Sequence, residues 1–134
     1  GEMIKSRSAE TIATPHAGEF AGMMRDGLQD RLDDSRKLAR QSGSTILLKG
    51  PDTVIVRSDG ATSIAAQSCP WLSTAGTGDV LAGMIASRLA TGISGYKAAR
   101  EGQWLHSRAA RLAGPGFTPE MLIDQIPASL QECL

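Results

Sequence analysis

Aromatic side chains are scarce in this chain: two Trp, two Phe and one Tyr make up 4% of its 134 residues. So few rings cannot furnish a base-stacking surface, which weighs against nucleic acid as a partner. Charge of one sign is lacking too. Fourteen Lys and Arg balance 14 Asp and Glu, so no overall field draws the chain to nucleic acid or to an anionic membrane. No stretch approaches the ~18 apolar residues that a membrane span requires. Residues 1–10 are polar and mixed in charge, unlike a signal peptide. Only two cysteines occur, Cys69 and Cys133, far apart and without neighbours at metal-ligand spacing. A bridge between them is one reading; two free thiols in a reducing cytoplasm is the one adopted.

What is present suits one hydrophobic core. Hydrophobic residues make up 41% and charged residues 21% of the chain, ordinary values for a globular domain. Thr11, Ile12, Ala13 and Thr14 form a β-prone run that Pro15 ends. Residues 20–24 offer a helical turn or two, stopped near Gly27. Leu28, Leu32, Ser35, Leu38 and Ala39 then share one helical face, with Arg31 and other charged residues mostly opposite and Gly43 as a C-terminal stop. Ile46, Leu47 and Leu48 resemble a strand buried on both faces of a parallel sheet. Thr53, Val54, Ile55 and Val56 make another. Asp59-Gly60 signals a hairpin into a weaker strand over 62–66. From Val80 onward a helix carries Leu81, Met84, Ile85, Arg88 and Leu89 on one stripe. A second, over 96–112, offers Ala99, Trp104, Leu105, Ala109 and Leu112 for packing. Thr118-Pro119 restarts a terminal helix. The order implies an α/β fold with only a few visible strands.

Three segments could carry chemistry. The clearest is Ala75-Gly76-Thr77-Gly78-Asp79, leading into a helix. Glycines let backbone N–H groups turn toward an anion, and the helix adds unpaired donors and the positive end of its dipole. Asp79 there could take a proton from a hydroxyl as it is phosphorylated. It reads equally well as a simple helix N-cap. No Lys follows as in a Walker A loop, and the third glycine, Gly83, falls too late for the dinucleotide fingerprint. The second segment is Lys49-Gly50-Pro51-Asp52-Thr53, at the end of a buried strand, where α/β sheets bind ligands. Taken alone, it is more simply a surface lysine and a Pro-Asp turn. The third runs from Thr14 through Pro15 and His16 to Glu19. His16 could bond a ligand and Glu19 could orient a metal-bound water, although a lone loop histidine is more often structural. No residues form a metal-ligand set. His106 is read as a packing residue, and Met23 and Met24 as core filler.

Together the segments Thr-Pro-His-x-Gly-Glu-Phe, Leu-Lys-Gly-x-Asp-Thr-Val-Ile and Thr-Ala-Gly-Thr-Gly-Asp-Val-Leu-Ala-Gly-Met-Ile resemble, in that order, the carboxyl-terminal domain of ADP-dependent (S)-NAD(P)H-hydrate dehydratases. The helix bearing Trp104, Leu105 and His106 resembles the family's next helix, and the similarity runs from about residue 11 to 126. The resemblance implies a three-layer ribokinase-like fold, of which this chain supplies the carboxyl-terminal half as a single partial domain. It implies repair of hydrated NADH or NADPH, with ADP as co-substrate giving AMP and phosphate, and Mg²⁺ beside the phosphates. Asp79 would be catalytic and touch the substrate. His16 would line the hydrated-nicotinamide site. Lys49, Gly50, Pro51, Asp52, Thr53 and Gly78 would bind the adenine nucleotide, with Gly76, Thr77 and Gly78 as the anion hole.

Two departures from the family stand out. Ala17 occupies a place where Pro is frequent, and no amino-terminal half is present. Two other readings remain open. One is a ribokinase-like, ATP-dependent kinase of a sugar or vitamin alcohol. The other is a truncated lobe that binds nucleotide without catalysis, or self-associates through its sheet edge.

Overall fold

Two four-residue runs, Thr45–Leu48 and Thr53–Val56, are buried at every position, and the rest of the chain is arranged to cover their two faces. The computed structural model describes residues 2–65 and 69–133. In chain order the elements are α1 (Glu2–Lys5), β1 (Ile12–Ala13), α2 (Ala17–Met23), α3 (Arg31–Ser42), β2 (Thr45–Leu48), β3 (Thr53–Val56), β4 (Thr62–Ala65), a 3-10 turn (Pro70–Ser73), α4 (Thr77–Leu89), α5 (Gly95–Ala113), α6 (Pro119–Asp124) and α7 (Ile126–Gln131).

The strands form one sheet in the order β1-β2-β3-β4. The expected parallel sheet is in fact mixed. β1 runs parallel to β2, whereas β2 with β3 and β3 with β4 are antiparallel. Connection length explains the difference. α2 and α3 lie between β1 and β2, enough chain for a crossover. Only residues 49–52 separate β2 from β3, and a parallel return needs about a dozen residues or more.

Pleating sorts the strand residues onto two faces. Ile46, Leu48, Val54 and Val56 pack with Phe20, Leu38 and Ala39 of α2 and α3. Leu47 and Ile55 pack with Leu81 and Ile85 of α4 and with Ala98 and Ala99 of α5. The result is three layers, with helices on both faces of the sheet. A further cluster, including Met84, Leu105, Ala109, Phe117 and Leu122, ties α4, α5 and α6 together.

Local signals account for most helix ends. Asp30 caps α3 by accepting from the N–H groups of Leu32 and Asp33, and Gly43 closes it in the left-handed conformation. Thr118 caps α6 through the Met121 N–H. α2 begins three residues before its expected start, because His16 caps it. α4 likewise begins at Thr77 rather than at Val80. The weaker strand ends at Ala65, and Ala66 lies outside the described residues.

Packing departs from expectation at several side chains. Trp104 and Leu112 are 46% and 37% exposed, because the buried stripe of α5 runs through Ala98, Ala99, Gly102, Leu105, Ala109 and Ala110, leaving both outside it. Met23 is exposed, while Met24 packs against the α3 side of the sheet. Arg88 is held by Glu101 at 2.7 Å. Cys69 is buried, Cys133 is exposed, and neither is bridged.

Candidate active site

Because β1 and β2 are parallel, the chain leaves both at the same end of the sheet. There Lys49 N–H donates to the Pro15 carbonyl at 2.9 Å, which joins the loop after β1 to the loop after β2. His16 follows immediately. Its Nδ1 accepts from the Glu19 N–H at 3.1 Å, and the Glu19 carboxylate accepts from the His16 N–H at 2.8 Å. This reciprocal capping box places the ring proton on Nε2. Glu19 is thus occupied as a capping group, which holds its carboxyl below the ordinary range, chiefly through the His16 N–H.

The glycine-rich turn closes the site from the opposite side. Gly76 is the N-cap of α4 with φ of 89°, a conformation that L side chains rarely adopt. A Cβ there would also stand 2.9 Å from Cγ of Pro119, so α6 braces the turn. Asp79 is therefore not the N-cap but the third residue of the helix. It lies in the first helical turn and is exposed, where the helix dipole favours a carboxylate. Thr77 is buried, and its hydroxyl is shared between the carbonyls of Leu72 at 2.6 Å and Thr74 at 2.7 Å. Its side chain is spent on the turn, and its N–H also donates within it, to the Thr74 carbonyl at 3.3 Å.

Lys49 reaches toward this helix end, its Nζ lying 3.2 Å from where a Cβ on Gly78 would stand. An ammonium and the N-terminus of a 13-residue helix thus meet at one place. That pairing suits phosphate oxygens. His16, Lys49, Gly50, Pro51, Asp52, Thr53, Gly76, Thr77, Gly78 and Asp79 all line a single cavity of about 1080 Å³, large enough for a nucleotide-sized ligand.

Two further lining residues, Gln103 and His106, come from the middle of α5. Both are buried, and the sequence reading missed Gln103 and left His106 as a packing residue. Gln103 donates to Ser107 Oγ at 3.1 Å. His106 Nε2 lies 2.8 Å from the Thr77 carbonyl and donates to it. Burial is the main reason its pKa falls from 6.5 to about 4, opposed by the Thr77 hydrogen bond and reinforced by the charge of Lys49. The imidazole is therefore neutral at pH 7. The signal for these residues was their spacing of three on one helical face, which is equally the spacing of core residues.

Among the described residues no group of three His, Cys, Asp or Glu side chains could hold a metal ion. Asp52 and Asp79 are the acidic residues that line the cavity. That donor set suits a hard cation carried mainly by phosphate oxygens, and not one caged by protein alone. No helix among the described residues is long and apolar enough to cross a membrane.

The family model described as NAD(P)H-hydrate dehydratase matches residues 2–132. The bifunctional NAD(P)H-hydrate repair enzyme Nnr of Mycobacterium leprae is 42% identical over 88% of this chain and 26% of its own length. The ADP-dependent (S)-NAD(P)H-hydrate dehydratase of Neisseria meningitidis is 38% identical over 74% of this chain and 35% of its own. Among solved structures, the ADP/ATP-dependent NAD(P)H-hydrate dehydratase of Bacillus subtilis, co-crystallised with ATP/Mg²⁺ and soaked with CoA, superposes with a TM-score of 0.82. It is 30% identical, and the match covers 95% of this chain and 50% of that one. The chain thus spans about half the length of that structure and about a quarter of the Mycobacterium leprae protein.

Proposed function

Since the chain belongs to the NAD(P)H-hydrate dehydratase family, we propose that it is the carboxyl-terminal half of a ribokinase-like domain that dehydrates the S form of hydrated NADH or NADPH. The reaction would be coupled to conversion of ADP to AMP and phosphate. One observation carries this reading: His16, Lys49 and Asp79, from three separate segments, line one cavity at the N-terminus of α4. Cytoplasmic nicotinamide cofactor repair is the setting it implies.

Residues 49–53 would hold the adenine nucleotide, with the Lys49 ammonium and the N–H groups of Gly76 and Gly78 against its phosphates. Mg²⁺ would be held through those phosphates and would supply charge neutralisation. His16 would present its Nε2–H to the hydrated nicotinamide. Asp79 would take the proton from the ring hydroxyl as the terminal phosphoryl group of ADP moves onto that oxygen, leaving AMP. The carbon–oxygen bond then breaks with phosphate as the leaving group. The neighbouring ring carbon loses a proton and the double bond of the reduced nicotinamide returns. The helix terminus would stabilise charge developing on the transferring group.

The test is recovery of absorbance in the reduced-nicotinamide band after mixing the chain with hydrated NADH and Mg²⁺, with ADP, ATP or no nucleotide. Recovery should require nucleotide and run faster with ADP. Asp79→Asn should lower turnover by about 10²- to 10⁴-fold, the range of a lost general base, with a far smaller change in ADP affinity. A trace that stays flat with this chain alone shows that the other half of the domain is needed, and a trace that stays flat with the longer chain as well overturns the reading. Equal losses of turnover and ADP binding would reduce Asp79 to a residue that shapes the turn.

A further inference from the structure

Arg31 is the first residue of α3, and its guanidinium reaches across to the turn between β2 and β3. A single nitrogen, Nη2, is directed at three backbone carbonyls: Asp52 at 2.8 Å, Leu48 at 3.3 Å and Lys49 at 3.3 Å. Two hydrogens shared among three acceptors bring those oxygens to one point. Without a donor there, the three carbonyl dipoles would repel, and the turn would open. Gly50 lies directly beneath the guanidinium. A Cβ at that position would stand 2.8 Å from Cζ of Arg31 and 2.9 Å from Nη1. The absence of a side chain at Gly50 is thus what admits the guanidinium against the turn.

We propose that Arg31 is the positioning residue of the adenine-nucleotide site. It holds residues 48–52 from behind, in the conformation that brings Lys49 against the N-terminus of α4, and adds a positive charge beside a phosphate-binding surface. The proposal rests on the assignment of residues 49–53 to nucleotide contact made above, and goes beyond it by naming what sets the shape of that segment. Arg suits the task because its planar fork spreads several donors from one rigid group. Lys keeps the charge but presents a single ammonium.

The experiment measures ADP affinity by calorimetry, together with amide hydrogen exchange over residues 48–53, on the wild-type chain and a set of variants. Arg31→Gln should weaken ADP binding about tenfold or more, a change of about 1.4 kcal/mol, and speed exchange in that turn while leaving α5 unchanged. Arg31→Lys should fall between the two. Gly50→Ala should mimic Arg31→Gln in the wild-type background, by displacing the guanidinium. In the Arg31→Gln background it should add less than about twofold, because the clash has gone, and non-additivity of this kind marks residues in direct contact. Should Arg31→Gln fail to fold, Arg31→Lys and Gly50→Ala in the wild-type chain carry the same comparison. ADP affinity within twofold of wild type in the Arg31 variants overturns the proposal. So do Gly50→Ala losses of equal size in both backgrounds. A wild-type chain that binds no ADP instead overturns the nucleotide assignment, a failure told apart by the blank wild-type trace.

Discussion

At pH 7 the His106 imidazole carries no charge, and that neutrality ties the stability of the glycine-rich turn to acidity. Its folded-state pKa lies near 4, below the ordinary 6.5, mainly through burial. The unfolded chain therefore binds the proton more readily. The stability contribution is present in full above about pH 6.5 and is lost as pH falls toward 4. At ~1.4 kcal/mol per pH unit, the loss sums to about 3 kcal/mol. Urea denaturation of wild type and His106→Gln between about pH 7 and pH 4 should show curves that converge in acid, because the variant lacks this titration. Parallel curves would mean the imidazole is not taken from water as described. Exposed carboxylates with lowered pKa values, such as Asp59 against Arg57, act equally in both proteins and cancel. At this scale His16, Lys49 and Asp79 were legible, since each stands in a recognisable local segment. His106 and Arg31 were not, because their partners, Thr77 and the residue 48–52 turn, are remote in sequence.

Among elements, the start of α4 is where two requirements fall on one residue. Gly76 must adopt a left-handed conformation and must leave room for Pro119 at the start of α6. Gly76→Ala should cost about 1–2 kcal/mol from backbone conformation alone, plus the displacement of Pro119. Adding Pro119→Ala should restore the second part and not the first. Urea midpoints of the single and double variants measure this. Full restoration in the double variant would show that the backbone conformation carries no cost. Helix stops such as Gly43 were readable because a left-handed residue ends a helix locally. The starts of α2 and α4 were missed by three residues each. Their first turns carry no apolar periodicity, and what begins them is a histidine cap in one case and a glycine in the other.

On the scale of the whole molecule, the sheet of the described residues ends at β1 and β4, so each has one side outside the ladder. β1 contributes only Ile12 and Ala13. Ile64 on β4 is opposite Val54 yet is 55% exposed. Unpaired edges with apolar side chains invite pairing with another chain. Sedimentation should accordingly show a mass that rises with concentration, and Ile64→Lys should shift the population toward monomer. A single monomeric mass across the range would show that β4 is no docking edge.

The sequence by itself determined the four strands and the helices α2 to α5 in their order, the hairpin at Asp59-Gly60, the two-sided burial of Ile46, Leu47 and Leu48, and the three segments on which the family resemblance rests. It did not determine α1, the 3-10 turn or the division of the terminal helix into α6 and α7. The features it determined depend on interactions among neighbours within a few residues, which periodicity, caps and turn chemistry report directly. Tertiary structure decided the rest. It chose the face of α5 that leaves Trp104 outside, set Arg31 behind the residue 48–52 turn, and brought His106 to the cavity beside Thr77. Those outcomes follow from contacts between segments far apart in the chain. Their geometry exists only once helices have packed on both faces of the sheet.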